Sequence, residues 1–111
     1  ATPGKVSVTA PLKLKRQVVE EKLDNLPAVL MEARLEERPP DGYEFADIDS
    51  GSIYDLLGFK IGDVLMEING HKVDSSVKAA QLILALKTES KFNVKIKRGT
   101  KVSTLAYRIE D

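Results

Sequence analysis

The chain has 111 residues, enough for one core that buries roughly 60–70% of the surface its unfolded form exposes, and too few for two. Hydrophobic residues at 42% and charged residues at 31% are the balance of a folded domain, and the absence of cysteine excludes disulfide and thiolate chemistry while saying nothing about compartment. Seventeen basic and seventeen acidic residues cancel, so no global field draws the protein to nucleic acid, and no run approaches the roughly 20 apolar residues needed for this piece to insert in a membrane.

The sequence opens Ala1-Thr2-Pro3-Gly4, without an initiator methionine, and is expected to be a piece of a longer protein whose targeting segment lies elsewhere. Residues 1–11 read as a linker or a weak edge strand. Val6, Val8 and Ala10 alternate with polar residues until Pro11 interrupts, and Leu12 and Leu14 resume the alternation. From Arg16 to Asp24 the period becomes helical, with Val19 and Leu23 four apart and Glu20, Glu21 and Lys22 mostly on the other side. Pro27 breaks this helix, because it disfavours helical backbone at Leu26, yet it suits the first turn of a second helix through Ala28 to Glu32. Arg34 to Arg38 alternates weakly. Pro39 to Gly42 is a turn cluster, and Tyr43 to Ile48 the next strand, with Tyr43 and Phe45 on one face.

Gly51 to Gly70 carries the densest local information. Ser52 can cap a helix from Ile53 to Leu57, and Gly58 can take the left-handed conformation that ends it. Gly62-Asp63 then turns the chain into a strand from Val64 to Ile68, and Asn69-Gly70 tolerates the positive φ of a tight turn. Asp74 or Ser75 caps a helix from about Ser76 to Lys87. Its apolar positions Val77, Ala80 and Leu84, with Ala79, Ile83 and Leu86, form a stripe wide enough to make it the most buried helix, packed on the sheet. Phe92, Val94 and Ile96 alternate with polar residues, as do Leu105, Tyr107 and Ile109, so the turn at Arg98 to Lys101 closes an antiparallel hairpin with one wet face.

Catalytic chemistry is poorly supplied. His71 is the sole histidine and reads as an exposed turn residue; Ser50, Ser52, Ser75, Ser76 and Ser90 coexist with many lysines, but no motif pairs one with a base. Asp47 to Gly51 superficially resembles a calcium loop, but its glycine falls one position early and Gly58 stands where the bidentate glutamate belongs. Lys95, Lys97, Arg98 and Lys101 form the densest basic cluster, better read as a solvated strand face than a nucleic-acid surface. No cofactor or metal is implied. What the pattern does offer is a strand edge beside a helix, where an extended peptide can add main-chain hydrogen bonds and place alternate side chains in pockets.

The short helix followed by G-D-V-L-x-x-I-N-G over Gly62 to Gly70 resembles the centre of a bacterial PDZ domain. With Leu14 to Arg16, Val19, Leu23, Leu26, Leu30, Ala33 to Leu35, Pro39, Gly42-Tyr43 and Ser52 to Tyr54, the resemblance extends over about residues 12–110 to the periplasmic carboxyl-terminal region of component C of type II secretion systems. It implies an α+β fold, a PDZ-like, partly open antiparallel β-barrel or sandwich capped by two helices, in a single domain over 12–111 with a helical extension at 12–33. It further implies a noncatalytic periplasmic module of a protein anchored in the inner membrane. Its implied partners are secreted proteins and other secretion components, including the secretin assembly. In that family a membrane helix and a secretin-contacting domain come first, and secretin binding through that domain is not carried over to this piece. By the same resemblance, Arg34, Leu35, Ser76, Ala80 and Ile83 would line a peptide groove. PDZ domains that take free carboxyl termini have a glycine-containing loop before the groove strand; Leu26 to Met31 has no glycine and reads as helical. Two alternatives are a regulatory, substrate-positioning PDZ domain of an envelope protease, and a weak homodimer that pairs through the same edge.

Overall fold

The computed structural model describes residues 12–111. The reading of residues 1–11 as linker or weak strand falls outside that range. Alternation at Leu12–Lys15 yields strand β1, in which Leu14 alone turns into the core. Helix α1 (Arg16–Lys22) buries Val19, and Leu23 follows it inward. Helix α2 (Leu26–Met31) starts two residues earlier than expected: the Asn25 side chain accepts the N–H of Ala28 at 3.4 Å, and Pro27 sits in the first turn, where a missing N–H does no harm.

Strands β2 (Ala33–Arg38), β3 (Gly42–Ile48), β4 (Val64–Ile68), β5 (His71–Lys72), β6 (Lys91–Arg98) and β7 (Lys101–Glu110) complete a seven-stranded sheet in the order β1-β7-β6-β4-β3-β2, with β5 paired to β4. All pairings are antiparallel except β1 with β7, which is parallel. The sheet is therefore open, in keeping with the expected partly open, PDZ-like barrel or sandwich, and departs from it only in being mixed rather than wholly antiparallel. Hairpins and short returns force antiparallel neighbours, whereas β1 and β7 are joined only through the whole intervening domain and are free of that constraint. The α+β class stands.

Helix α3 (Ile53–Leu56) forms as its cap predicts. The Ser52 hydroxyl accepts the Asp55 N–H at 3.3 Å, Ile53 and Tyr54 point inward, and Gly58 follows at φ +89°. The helix expected from Ser76 to Lys87 is broken into α4 (Ser76–Ala79) and α5 (Gln81–Thr88). Ser75 caps α4 by accepting the N–H of Lys78 at 3.2 Å. The carbonyl of Ala80 takes both Ile83 N–H at 3.1 Å and Leu84 N–H at 3.3 Å, a locally tightened turn where the two helices meet. On one continuous 3.6-residue period Ala79, Leu82, Ile83 and Leu86 share a side and are buried, with Ala85 at its border. Val77 (73% exposed) and Leu84 (50%) fall on the opposite side and exposed Ala80 lies between the two, so the stripe is narrower than expected.

Five of the six aromatic residues form one file through the core. Tyr54 lies 5.9 Å from Phe45, Phe45 stacks on Phe59 at 4.9 Å, Phe59 meets Tyr107 at 6.4 Å, and Tyr107 stacks on Phe92 at 4.9 Å. Each such pair contributes about 1 kcal/mol beyond its buried area. Beside this file lies a buried carboxylate. Asp63, 1% exposed, accepts Arg98 Nε at 2.8 Å and a second guanidinium nitrogen at 2.7 Å, together with the Lys60 N–H at 2.9 Å. Arg98 also donates to the Gly58 carbonyl at 3.2 Å. The basic cluster read from the sequence is thereby largely neutralised, since Lys97 pairs with Asp41 at 3.0 Å and Lys95 with Glu67 at 3.7 Å.

Two substitutions test this framework. Gly42 starts β3 at φ +153°, buried, where a β-carbon would overlap the Leu65 carbonyl oxygen. Gly42→Ala is expected to lower unfolding free energy by about 3 kcal/mol, combining backbone strain with overpacking; a loss below about 1 kcal/mol in urea titration would contradict the close approach. Asp63→Asn should remove about 3 kcal/mol, the lower end for a broken buried pair because Arg98 is half-exposed. Arg98→Met in the same background should add little, and fully additive losses would show that the two side chains do not act together.

Candidate functional site

β2 is the last strand of the sheet, so one of its edges has no strand partner among the described residues. A β-bulge between Arg34 and Leu35 sets the phase: Arg34 lies opposite Asp47, and Leu35 opposite Phe45. Ala33 and Leu35, two apart on β2, face the same way, toward α5, and a cavity of about 170 Å³ opens between them and the helix, with the bulged Ala46 on β3 bringing Phe45 opposite Leu35. Ala80 and Ile83 form its helix wall, Phe45 and Tyr54 lie beneath, and Leu30 closes the α2 end. Its volume is below the roughly 300 Å³ at which small-molecule pockets begin, and its lining is apolar apart from tyrosine hydroxyls, so it suits an apolar side chain.

Of the five residues expected at the groove, the fold brings Leu35, Ala80 and Ile83 together around this cavity. Arg34 is exposed beside it and reaches Glu36 at 3.6 Å. Ser76 is the first residue of α4, and its side chain lies outside what the structure describes. Sequence reasoning missed Leu30 and Tyr54. Both become part of the site only because the helical segment before β2 folds back on α3.

That return is held by three hydrogen bonds. The buried Tyr54 hydroxyl donates to the Val29 carbonyl at 2.9 Å, the Asp49 N–H to the Glu32 carbonyl at 2.7 Å, and Lys22 Nζ to the Gly51 carbonyl at 2.6 Å. Burial first, and the negative charge of Glu32 second, push the Tyr54 pKa from 10.0 up to about 12. Tyr107, whose hydroxyl donates to the Leu57 carbonyl at 2.7 Å, is also shifted upward, chiefly by burial.

The other candidates dissolve into structure. His71 is exposed on β5, at the side of a larger depression of about 440 Å³ rimmed by Lys72, Lys78, Gln81 and Glu89. That depression is polar and lacks the convergent apolar walls of the cavity at β2. Asp47 accepts the Ile48 N–H at 3.1 Å, and Gly51 N–H goes to Asp55 at 3.0 Å, so the acidic turn serves its own backbone. Among the described residues no cluster of three or more His, Cys, Asp or Glu could hold a metal ion, and no helix is long and apolar enough to cross a membrane.

Residues 41–109 match a family model described as PDZ domain. No curated protein matches the chain. Among solved structures, the fold is similar to the PDZ domain of EpsC from Vibrio cholerae, with TM-score 0.53 and 16% identity, covering 83% of this chain and 92% of that one. It is also similar to the HtrA3 PDZ domain bound to the phage-derived ligand FGRWV, with TM-score 0.52 and 20% identity, covering 69% of this chain and 80% of that one. The PDZ domain of pullulanase C protein of the type II secretion system from Klebsiella pneumoniae, in complex with fatty acid, aligns at TM-score 0.48 and 16% identity, covering 76% and 99%.

Tyr54→Phe should cost about 1 kcal/mol at neutral pH, leaving the Val29 carbonyl unpartnered. The folded Tyr54 pKa lies above its unfolded value, so the stability this group contributes is full below about pH 10 and is lost as pH rises toward about 12. The gap between wild type and Tyr54→Phe, followed by denaturant titration, should therefore narrow across that window. A gap constant with pH would refute the assignment.

Proposed function

The chain belongs to the PDZ domain family, and on that premise we propose that it is a noncatalytic protein-interaction module of a type II secretion system, holding an extended segment of a secreted or partner protein against β2 in the cleft closed by α5. The observation that carries this reading is the conjunction of an open strand edge with an apolar cavity beneath it. Backbone groups on the edge supply affinity for any extended chain, and the cavity supplies the choice of side chain. On this reading Leu35, Ala80 and Ile83 line the groove, and Arg34 and Ser76 stand at its margins.

Assignment to secretion rather than to an envelope protease rests on the resemblance of the segment before β2. The module then comprises residues 12–111, with 12–33 as its helical extension, and works in the periplasm as part of a protein anchored in the inner membrane. Its cargo would be secreted proteins, passed on toward the secretin by the assembly as a whole. Self-pairing through β2 is the weaker alternative, because four of its six residues, Arg34, Glu36, Glu37 and Arg38, are charged and exposed, a common protection of sheet edges.

Ala80→Arg tests the groove, since Ala80 is exposed and the new side chain would fill the cleft without disturbing the core. Capture of secreted proteins from the same source should be abolished while the thermal midpoint stays within about 3 °C. Leu84→Arg, on the outward face of α5, should leave capture intact. Unaltered capture by Ala80→Arg would remove the groove from the mechanism.

A further inference from the structure

The α2 end of the cleft decides whether it reads a chain end or a chain interior. Holding a terminal carboxylate takes several unpaired backbone N–H groups converging on one point, a nest that glycine-rich loops readily form. Here the residues entering β2 belong to a helix instead. Within α2 the Val29 N–H goes to the Asn25 carbonyl at 3.0 Å, the Ala28 N–H to the Asn25 side chain, and the Glu32 N–H to the Val29 carbonyl at 3.2 Å, while Pro27 has no N–H to give. No glycine stands between Leu26 and Arg38.

What α2 directs toward β2 is its carbonyl end, the negative pole of a helix, followed at once by the Glu32 carboxylate. After burial, Glu32 is the second cause of the upward shift at Tyr54, so its charge acts at the floor of the cleft. Along β2 the charges of Glu36 and Glu37 are balanced by Arg34, which is turned toward Glu36, and Arg38, which pairs with Glu44. Glu32 is therefore the charge nearest the end of α2, and none of the described lining residues is charged. A carboxylate arriving beside α2 would meet the helix's negative pole and Glu32 with no converging backbone N–H groups to hold it, Arg34 being engaged by Glu36, whereas an uninterrupted strand needs no such nest.

We infer that the cleft takes an internal extended segment of its partner, with one apolar side chain in the 170 Å³ cavity and a basic or neutral residue beside the end of α2, and that it discriminates against a free carboxyl terminus. This rests on the groove reading above.

The test pans the whole chain against two libraries of short random peptides, one displayed with free carboxyl ends and one joined to its carrier at both ends. Binders are expected from the second, centred on an apolar residue and shifting the amide resonances of Ala33, Leu35 and Ile83. Truncating such a binder so that its carboxylate falls beside α2 should weaken it at least about tenfold. Binders that arise only from the free-end library, shift the same amides and weaken when amidated would overturn the inference and leave the groove reading standing. If neither library yields a peptide that shifts those amides, both fall.

Discussion

Asp63 is the residue through which the separate pieces of this domain are held in register. Its carboxylate joins the turn at Lys60 to Arg98 at the far end of β6, its carbonyl accepts the Phe45 N–H at 2.8 Å, and the next residue starts β4. Few positions touch so many strands. A carboxylate buried this fully is tolerable only when its oxygens are occupied, and here a planar two-pronged donor and a backbone N–H do so. No buried side-chain nitrogen or oxygen lacks a partner among the described residues. The geometry also explains why Arg98 rather than lysine closes β6, since an ammonium cannot meet both oxygens along parallel bonds.

The cleft is a by-product of the same arrangement. Fixing β3 against the Asp63 turn places Phe45 at the centre of the aromatic file, and Tyr54 follows from α3. The helical pair before β2 then finds a polar handle in the Tyr54 hydroxyl, which positions α2 at one end of the cavity. The site thus has walls from the sheet and α5, and an end wall held by three hydrogen bonds, of which that of Tyr54 is buried. What it presents is an apolar cavity beside a strand edge that has no strand partner among the described residues.

Local signals carried most of the elements. The Ser52 cap, Gly58, and the Asn69-Gly70 pair, with φ of +52° and +81°, behave as their residue types dictate because turn chemistry acts within four residues. The period-2 patterns of β6 and β7 were equally legible, with Phe92, Val94, Ile96, Tyr107 and Ile109 all buried. What eluded the sequence was tertiary. Ala79, Ile83 and Leu86 lie nearly opposite Val77 and Leu84 around one 3.6-residue helix, so both sets could not face inward, and burial shows which one does. The parallel β1–β7 pair leaves no mark in either strand's own residues. Leu35, Ala80 and Ile83 could be named for the groove through family likeness, whereas Leu30 and Tyr54 depend on a fold-back that no short window encodes.

Pairing of β1 with β7 also bears on how the domain comes into being. The first described strand completes its ladder only against the last, Leu12 beside Tyr107 and Leu14 beside Ile109, and the Asp63 carboxylate waits for a guanidinium near the end of the chain. These contacts span nearly the whole described sequence, the kind of non-local pairing that slows folding because the loop between must close first. The ladder of β1 and the pairing of Asp63 are thus completed together, by the last hairpin of the sheet.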